Sequence, residues 1–207
     1  MKKLFLTLAV ACLGLTASAQ EKGDIRFGVV AGMNVSNITD SDMDSRIGFH
    51  VGVKAEYNLS ENLYGNAGVI FSQKGNKYSK GGKEETNNPG YIEVPINFGY
   101  RYKISDGVSV FGETGPYLAF GICGKHKEEY DGDEYDDYEY DDYETKADFF
   151  DNDEASKFDF GWGVKVGVEA SKFQIAVGYE YGITKVFDVK GSSPHNSNLM
   201  VSVGYMF

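Results

Sequence analysis

Cysteine, histidine, proline and tryptophan are all scarce in this 207-residue chain, at two, three, four and one. Cys12 falls inside an apolar N-terminal stretch that reads as a removable leader, which leaves Cys123 alone. A single thiol excludes an intrachain disulfide framework and any Cys/His metal cluster. Positive charge is also short: 20 Lys and Arg against 31 Asp and Glu, a net −11, which excludes sequence-independent binding to a phosphate backbone and gives the expectation of no nucleic-acid partner. Beyond the N-terminus no apolar run reaches the roughly 18 residues that a spanning helix needs. Helical periodicity is nearly absent as well.

Glycine and aromatics are plentiful instead, with 26 Gly, 15 Tyr and 14 Phe. Without a triplet repeat this is not collagen; it suits a tightly curved β structure. The leader itself has Lys2 and Lys3, the apolar stretch Leu4 to Leu15, and Ala17-Ser18-Ala19 as a small-residue cleavage pattern. Residues 1–19 therefore read as a secretory signal peptide and 20–207 as one β-barrel domain.

Period-2 alternation is the dominant signal after Gln20. In the last segment Leu199, Val201, Val203, Tyr205 and Phe207 alternate with Asn198, Met200, Ser202, Gly204 and Met206. The pattern recurs near 25–35, 48–59, 63–74, 91–103, 108–122, 158–169 and 173–182, giving eight strands long enough to cross a bilayer at a tilt. Short connections near 58–62, 105–107 and 170–172 take turns with long ones near 36–47, 75–90, 123–157 and 183–197. In an antiparallel barrel this puts every long loop on one rim, so the expected fold is all-β: an eight-stranded antiparallel transmembrane β-barrel with short periplasmic turns and long extracellular loops.

Two arguments decide which face is outside. An eight-stranded barrel has an interior just wide enough to be filled by side chains, and the Gly-rich polar face suits that space. The same face carries Arg26, Lys54, Lys74, Arg101, Lys103 and Lys165 against Glu56, Glu93, Glu113, Asp159, Glu169 and Glu180, so the charges balance and can pair. Arg26, Lys54, Glu56, Glu93, Arg101, Glu113, Lys165 and Glu180 are the expected lumen charge network. The apolar face then meets outer-membrane lipid, with Tyr57, Tyr100, Tyr102, Tyr179, Tyr181 and Tyr205 at the interfaces. A secreted lipocalin-like barrel would reverse the faces, but leaves the regular glycines of the polar face unexplained.

The segments Arg26–Asn37 (RFGVVAGMNVSN), Tyr91–Gly99 (YIEVPINFG) and Gly112–Phe120 (GETGPYLAF) resemble the PorT-like, porin-family outer-membrane β-barrel domain of Bacteroidetes. Tyr205 and Phe207 resemble the terminal signal that the barrel-assembly machinery reads during biogenesis. The resemblance implies the bacterial outer membrane as location and an eight-stranded barrel as fold. It implies little about activity.

Between Gly124 and Ser156 stand 15 acidic residues against three Lys, a net −12 that outweighs the −11 of the whole chain. The run KEEYDGDEYDDYEYDDYETK has no apolar face to bury, so a loosely ordered surface loop is expected over 124–156. Its Tyr and carboxylates make it the expected contact surface for a protein or cationic partner. Asp131, Asp133, Asp136 and Asp137 are weak Ca²⁺ candidates whose spacing matches no defined motif, and Asp40-Ser41-Asp42 fails as an EF-hand because Ser45 and Val51 stand where Gly and Glu are required. No Gly-x-Ser-x-Gly, His-Glu-x-x-His or phosphate-binding loop occurs. His50 reads as a lumen residue and Cys123 as an inert thiol. The expectation is therefore no catalytic residue, no cofactor and no enzyme: a scaffold displaying surface loops, with a narrow pore or transport accessory and a lipid-modifying enzyme as the alternatives.

Overall fold

The computed structural model describes residues 23–40, 43–80, 83–130, 143–150, 156–187 and 193–207. Residues 1–19 and Asp131, Asp133, Asp136 and Asp137 lie outside that set. Twelve strands follow in chain order: β1 (Ile25–Ile38), β2 (Asp44–Asn58), β3 (Leu63–Gln73), β4 (Asn76–Lys80), β5 (Lys83–Asn87), β6 (Gly90–Ser105), β7 (Val108–Cys123), β8 (Lys125–Tyr130), β9 (Tyr143–Asp148), β10 (Phe158–Ala170), β11 (Phe173–Lys185) and β12 (His195–Met206).

Eight of them close a barrel in the order β1-β12-β11-β10-β7-β6-β3-β2, and β2 returns to β1. Every neighbouring pair is antiparallel. The alternation of the sequence becomes an alternation of exposure: β11 runs exposed, buried, exposed along its length, with Val177 outside and Ala176 inside. The solution is inverted relative to a soluble protein, because the buried side chains are mostly polar or charged while Phe98, Trp162, Val166, Val177 and Val203 stand exposed. An apolar outer face around a polar interior is the pattern that a bilayer stabilises.

One rim is smooth. Ser60 caps the β2–β3 turn by accepting from the backbone N–H of Asn62 and Leu63. Asp106 and Gly107 join β6 to β7, with Gly107 at φ +78°. The backbone N–H of Ser171, in the β10–β11 turn, donates to the Gly107 carbonyl at 2.6 Å. Lys103 departs from its expected place in the lumen. The β6–β7 register slips between Lys103 and Ser105, carrying the end of β6 past the rim, and the exposed ammonium pairs with Asp106 at 2.9 Å. That hydrogen bond and charge hold the Asp106 carboxyl below its ordinary range.

The other rim is built up on one side, and here the expectation of plain loops needs correction. The connection near 75–90 contains β4 and β5, and the segment 124–156 contains β8 and β9. These four strands form a second antiparallel sheet, attached to the start of β2, in the order β2-β4-β5-β8-β9. Charged side chains on both faces of β4, β5 and β8 hide those strands from any periodicity, and the order of the wall comes from the backbone ladder continued upward from β3, β6 and β7. Gly75 sits at the joint with φ +137°, where a Cβ would lie 2.0 Å from the Asn87 carbonyl oxygen; only glycine fits.

Across the mouth lies an apolar cap. Ile38, Phe149 and Val186 form a buried cluster with Phe150 and Phe187 against it, and Phe150 also packs on Tyr91, Tyr117 and Ala119. Three of the four long connections thus contribute to one stopper.

Candidate functional site: the charged lumen

Strand register places the lumen charges. Arg26 lies directly opposite Glu56 across β1 and β2, Lys165 opposite Glu113 across β10 and β7, and Glu169 opposite Gln174 across β10 and β11. Inward alternation then points all of them at the barrel axis.

Toward the smooth rim Glu56 is the hub. Its carboxylate accepts from Arg101 Nη2 at 2.6 Å, Arg26 Nη2 at 2.7 Å and Lys54 Nζ at 2.9 Å. Glu169 takes both terminal nitrogens of Arg26 at 2.9 Å, in the two-pronged geometry that guanidinium offers a carboxylate. Gln174 donates to both carboxylates. The Arg101 guanidinium also stacks 4.3 Å from the Tyr64 ring centre, and the Tyr64 hydroxyl donates to Glu113 at 2.9 Å. Glu113 in turn faces Lys165 at 3.5 Å and Lys54 at 3.8 Å.

Toward the loops the hub is a cation. The fully buried Lys74 ammonium lies 2.9 Å from Glu93, 3.4 Å from Glu180 and 4.0 Å from Asp159, and 4.4 Å from the Tyr117 ring centre. Asp159 is held by neutral donors: the Tyr117 hydroxyl, Thr184 Oγ1 and Asn196 Nδ2 at 2.8–3.1 Å. With Lys103 outside, five cations rather than six serve the six carboxylates, and these neutral hydrogen bonds satisfy the remainder.

Between the clusters, His50 Nδ1 lies 2.7 Å from Asn34 Oδ1 and His50 Nε2 lies 2.9 Å from Ser202 Oγ. The Asn34 amide donates onward to Ser72 Oγ at 3.1 Å. A hydroxyl–imidazole–amide chain has the outline of an activated nucleophile. All three side chains are buried, and the adjoining cavity of about 30 Å³ has room for only one or two waters, so the chain serves as a structural tie.

All eight residues expected in the network meet in the lumen, and Lys74, Asp159 and Glu169 complete it. The inward aromatics Tyr64, Tyr91, Phe111 and Tyr117 were not expected there. They fit because three of the rings cover the glycine paired with them on the neighbouring strand: Tyr64 over Gly99, Tyr117 over Gly161 and Phe111 over Gly167, each at a distance that a Cβ would invade. The regular glycines of the polar face were the signal for them. Tyr205, of the expected assembly signal, stacks between Phe173 at 5.1 Å and Phe207 at 5.5 Å at the smooth rim. Cys123 is exposed at the end of β7. Among the described residues, the one set of side chains close enough to share a metal ion lies outside the lumen, on β5 and β8.

Residues 18–188 match the sequence profile of a family described as "Outer membrane protein beta-barrel domain". No characterised protein matches by sequence. Among solved structures the chain is similar to Ail, the attachment invasion locus protein of Yersinia pestis, at 17% identity over 91% of this chain and 100% of that one, with a TM-score of 0.45. It is also similar to Neisserial surface protein A (16%, 88% and 97%, 0.46) and to the outer membrane protein OprG from Pseudomonas aeruginosa (9%, 91% and 98%, 0.46).

Proposed function

The chain belongs to the outer membrane protein β-barrel domain family, and from that premise we propose that it is a non-catalytic scaffold, anchored in the outer membrane to hold a wall of surface strands and the acidic loop toward the outside. In this reading residues 1–19 are its export signal, and the Tyr91–Gly99 and Gly112–Phe120 motifs support a kinship with the PorT-like barrels of Bacteroidetes. The observation that carries the reading is the filled lumen. Ion pairs span it at two heights, Arg26 on β1 to Glu169 on β10 at 2.9 Å and Lys74 after β3 to Glu180 on β11 at 3.4 Å, and the Phe149–Phe150 cap covers its mouth. Such an interior favours rigidity over passage. The wall strands β4, β5, β8 and β9 rise from the rim at the root of the acidic run, which gives that run a fixed base from which to meet a protein or cationic partner.

The test is crosslinking and co-purification from native outer membranes, comparing the full-length chain with one lacking residues 131–142. With Asn-Gly in place of the deleted residues, a two-residue turn joins Tyr130 to its partner Tyr143 and leaves β8 and β9 paired. A partner captured only by the full-length chain is expected. The same partners from both chains would remove the acidic loop from the function.

A further inference from the structure

Outside the barrel, the wall brings together three metal-ligating side chains that the scaffold reading leaves unused. In the β5–β8 register Glu85 stands opposite Glu128 and Asn87 opposite His126. Residues 85, 87, 126 and 128 therefore share one face of the wall. One ligand atom from each of Glu85, His126 and Glu128 lies within 4.8 Å of the other two.

The imidazole is already oriented. The Asn87 amide nitrogen donates to Asn76 Oδ1 at 3.0 Å, which turns Asn87 Oδ1 toward His126 Nδ1, 2.7 Å away. An amide oxygen only accepts, so Nδ1 carries the proton and, in the neutral ring, Nε2 presents a lone pair. That lone pair faces another acceptor, Glu128 Oε1, at 3.3 Å. Two acceptors at this distance need a proton or a cation between them. Ligand atoms bound tetrahedrally at about 2.0–2.1 Å from zinc are themselves separated by about 3.3 Å, which is the spacing of His126 Nε2 and Glu128 Oε1; the Glu85 carboxylate stands within 4.8 Å of both residues' ligand atoms.

We propose that Glu85, His126 and Glu128 form a divalent metal site of the zinc type, with Asn87 as its positioning residue. One imidazole and two carboxylates suit a borderline ion such as Zn²⁺ better than Ca²⁺ or Mg²⁺, which take oxygen ligands in larger number. The neighbouring run of 15 acidic residues against three Lys raises the local concentration of cations. An ion there staples β5, in the second long connection, to β8, in the third. Three protein ligands leave a fourth position for water or a side chain from outside. The site does not depend on the scaffold reading, since zinc binding stands whether or not a partner exists.

The test is titration of ZnCl₂ into the full-length chain refolded in detergent, read by calorimetry, with CoCl₂ absorption as the probe of tetrahedral geometry. Unheated mobility on an SDS gel checks folding of each variant. One ion per chain is expected. Asn87→Ala weakens it by roughly 10- to 100-fold, as loss of an outer partner does, and His126→Ala and Glu128→Gln weaken it further. A chain lacking residues 131–142 and the variant His195→Ala bind as the parent does. Glu128→Gln, nearly isosteric, keeps the test decisive if His126→Ala fails to fold. Unchanged affinity in Glu128→Gln, binding that disappears with residues 131–142, or no saturable zinc binding at all would each overturn the proposal.

Discussion

Placing an arginine on the outer face of β11 probes the orientation of the barrel wall at known depths. Val177 is exposed on that face, and in register it lies beside Val166 on one side and Val201 on the other, both exposed as well. It stands four residues above Phe173, the first residue of β11. At about 3.3 Å per residue and a tilt near 40°, that is roughly 10 Å up the wall, close to the middle of an apolar band about 25 Å tall. Ile183, ten residues up, reaches about 25 Å, the far interface. Val203 pairs with Ile175 and lies near 5 Å. Arginine at the midplane costs about 2–4 kcal/mol and near an interface about 0–1. Val177→Arg should therefore shift the folding equilibrium by roughly 30- to 700-fold, Val203→Arg by less, and Ile183→Arg least. Reversible denaturant titration of the chain in phospholipid vesicles reads all three. A flat profile, or Ile183 costing as much as Val177, would refute an outer face that meets lipid.

Other expectations follow from the interior. Glu56→Gln removes a carboxylate from three cations within 2.9 Å and should cost about 3–5 kcal/mol in the same titration; Glu113→Gln, whose nearest cation is 3.5 Å away, should cost less. Gly99→Val drives a side chain into the Tyr64 ring, 2.3 Å from the Cβ position, whereas at outward Gly112 the nearest atom is 3.9 Å away. The first should destabilise by about 1–3 kcal/mol while Gly112→Ala stays near neutral, and equal effects would mean that the ring does not lie over Gly99. In a planar bilayer the parent chain should give no steady conductance, because its lumen is bridged by ion pairs; a reproducible open level, lost in Arg101→Ala, would restore the pore.

The barrel was legible because its physics is periodic. Each of the eight strands must show lipid and lumen alternately, so residues 173–182 or 198–207 announce both strand and face. The lumen pairs were legible for the same reason, since charges at inward positions must find one another or remain buried and unpaired. Lys103 was misplaced because a register slip at the end of β6 is a property of the pair, not of either strand. The four wall strands were illegible because KHKEEY is charged on both faces and the six-residue alternation of YETKAD is too short to stand out in an acidic run, and a strand held by a neighbour's backbone leaves little mark on its own pattern. The Glu85–His126–Glu128 cluster is a product of that hidden register, joining positions about forty residues apart.

The most direct test of the account uses a probe already in the chain. Trp162 is the only tryptophan, it stands half exposed on the outer face of β10, and its indole N–H donates to Thr114 Oγ1 at 2.8 Å. In vesicles of lipid brominated along the acyl chain, the account predicts strong quenching of its fluorescence and little effect of aqueous acrylamide. Efficient quenching by acrylamide with none by the brominated lipid would contradict it, and would put the apolar face somewhere other than the membrane.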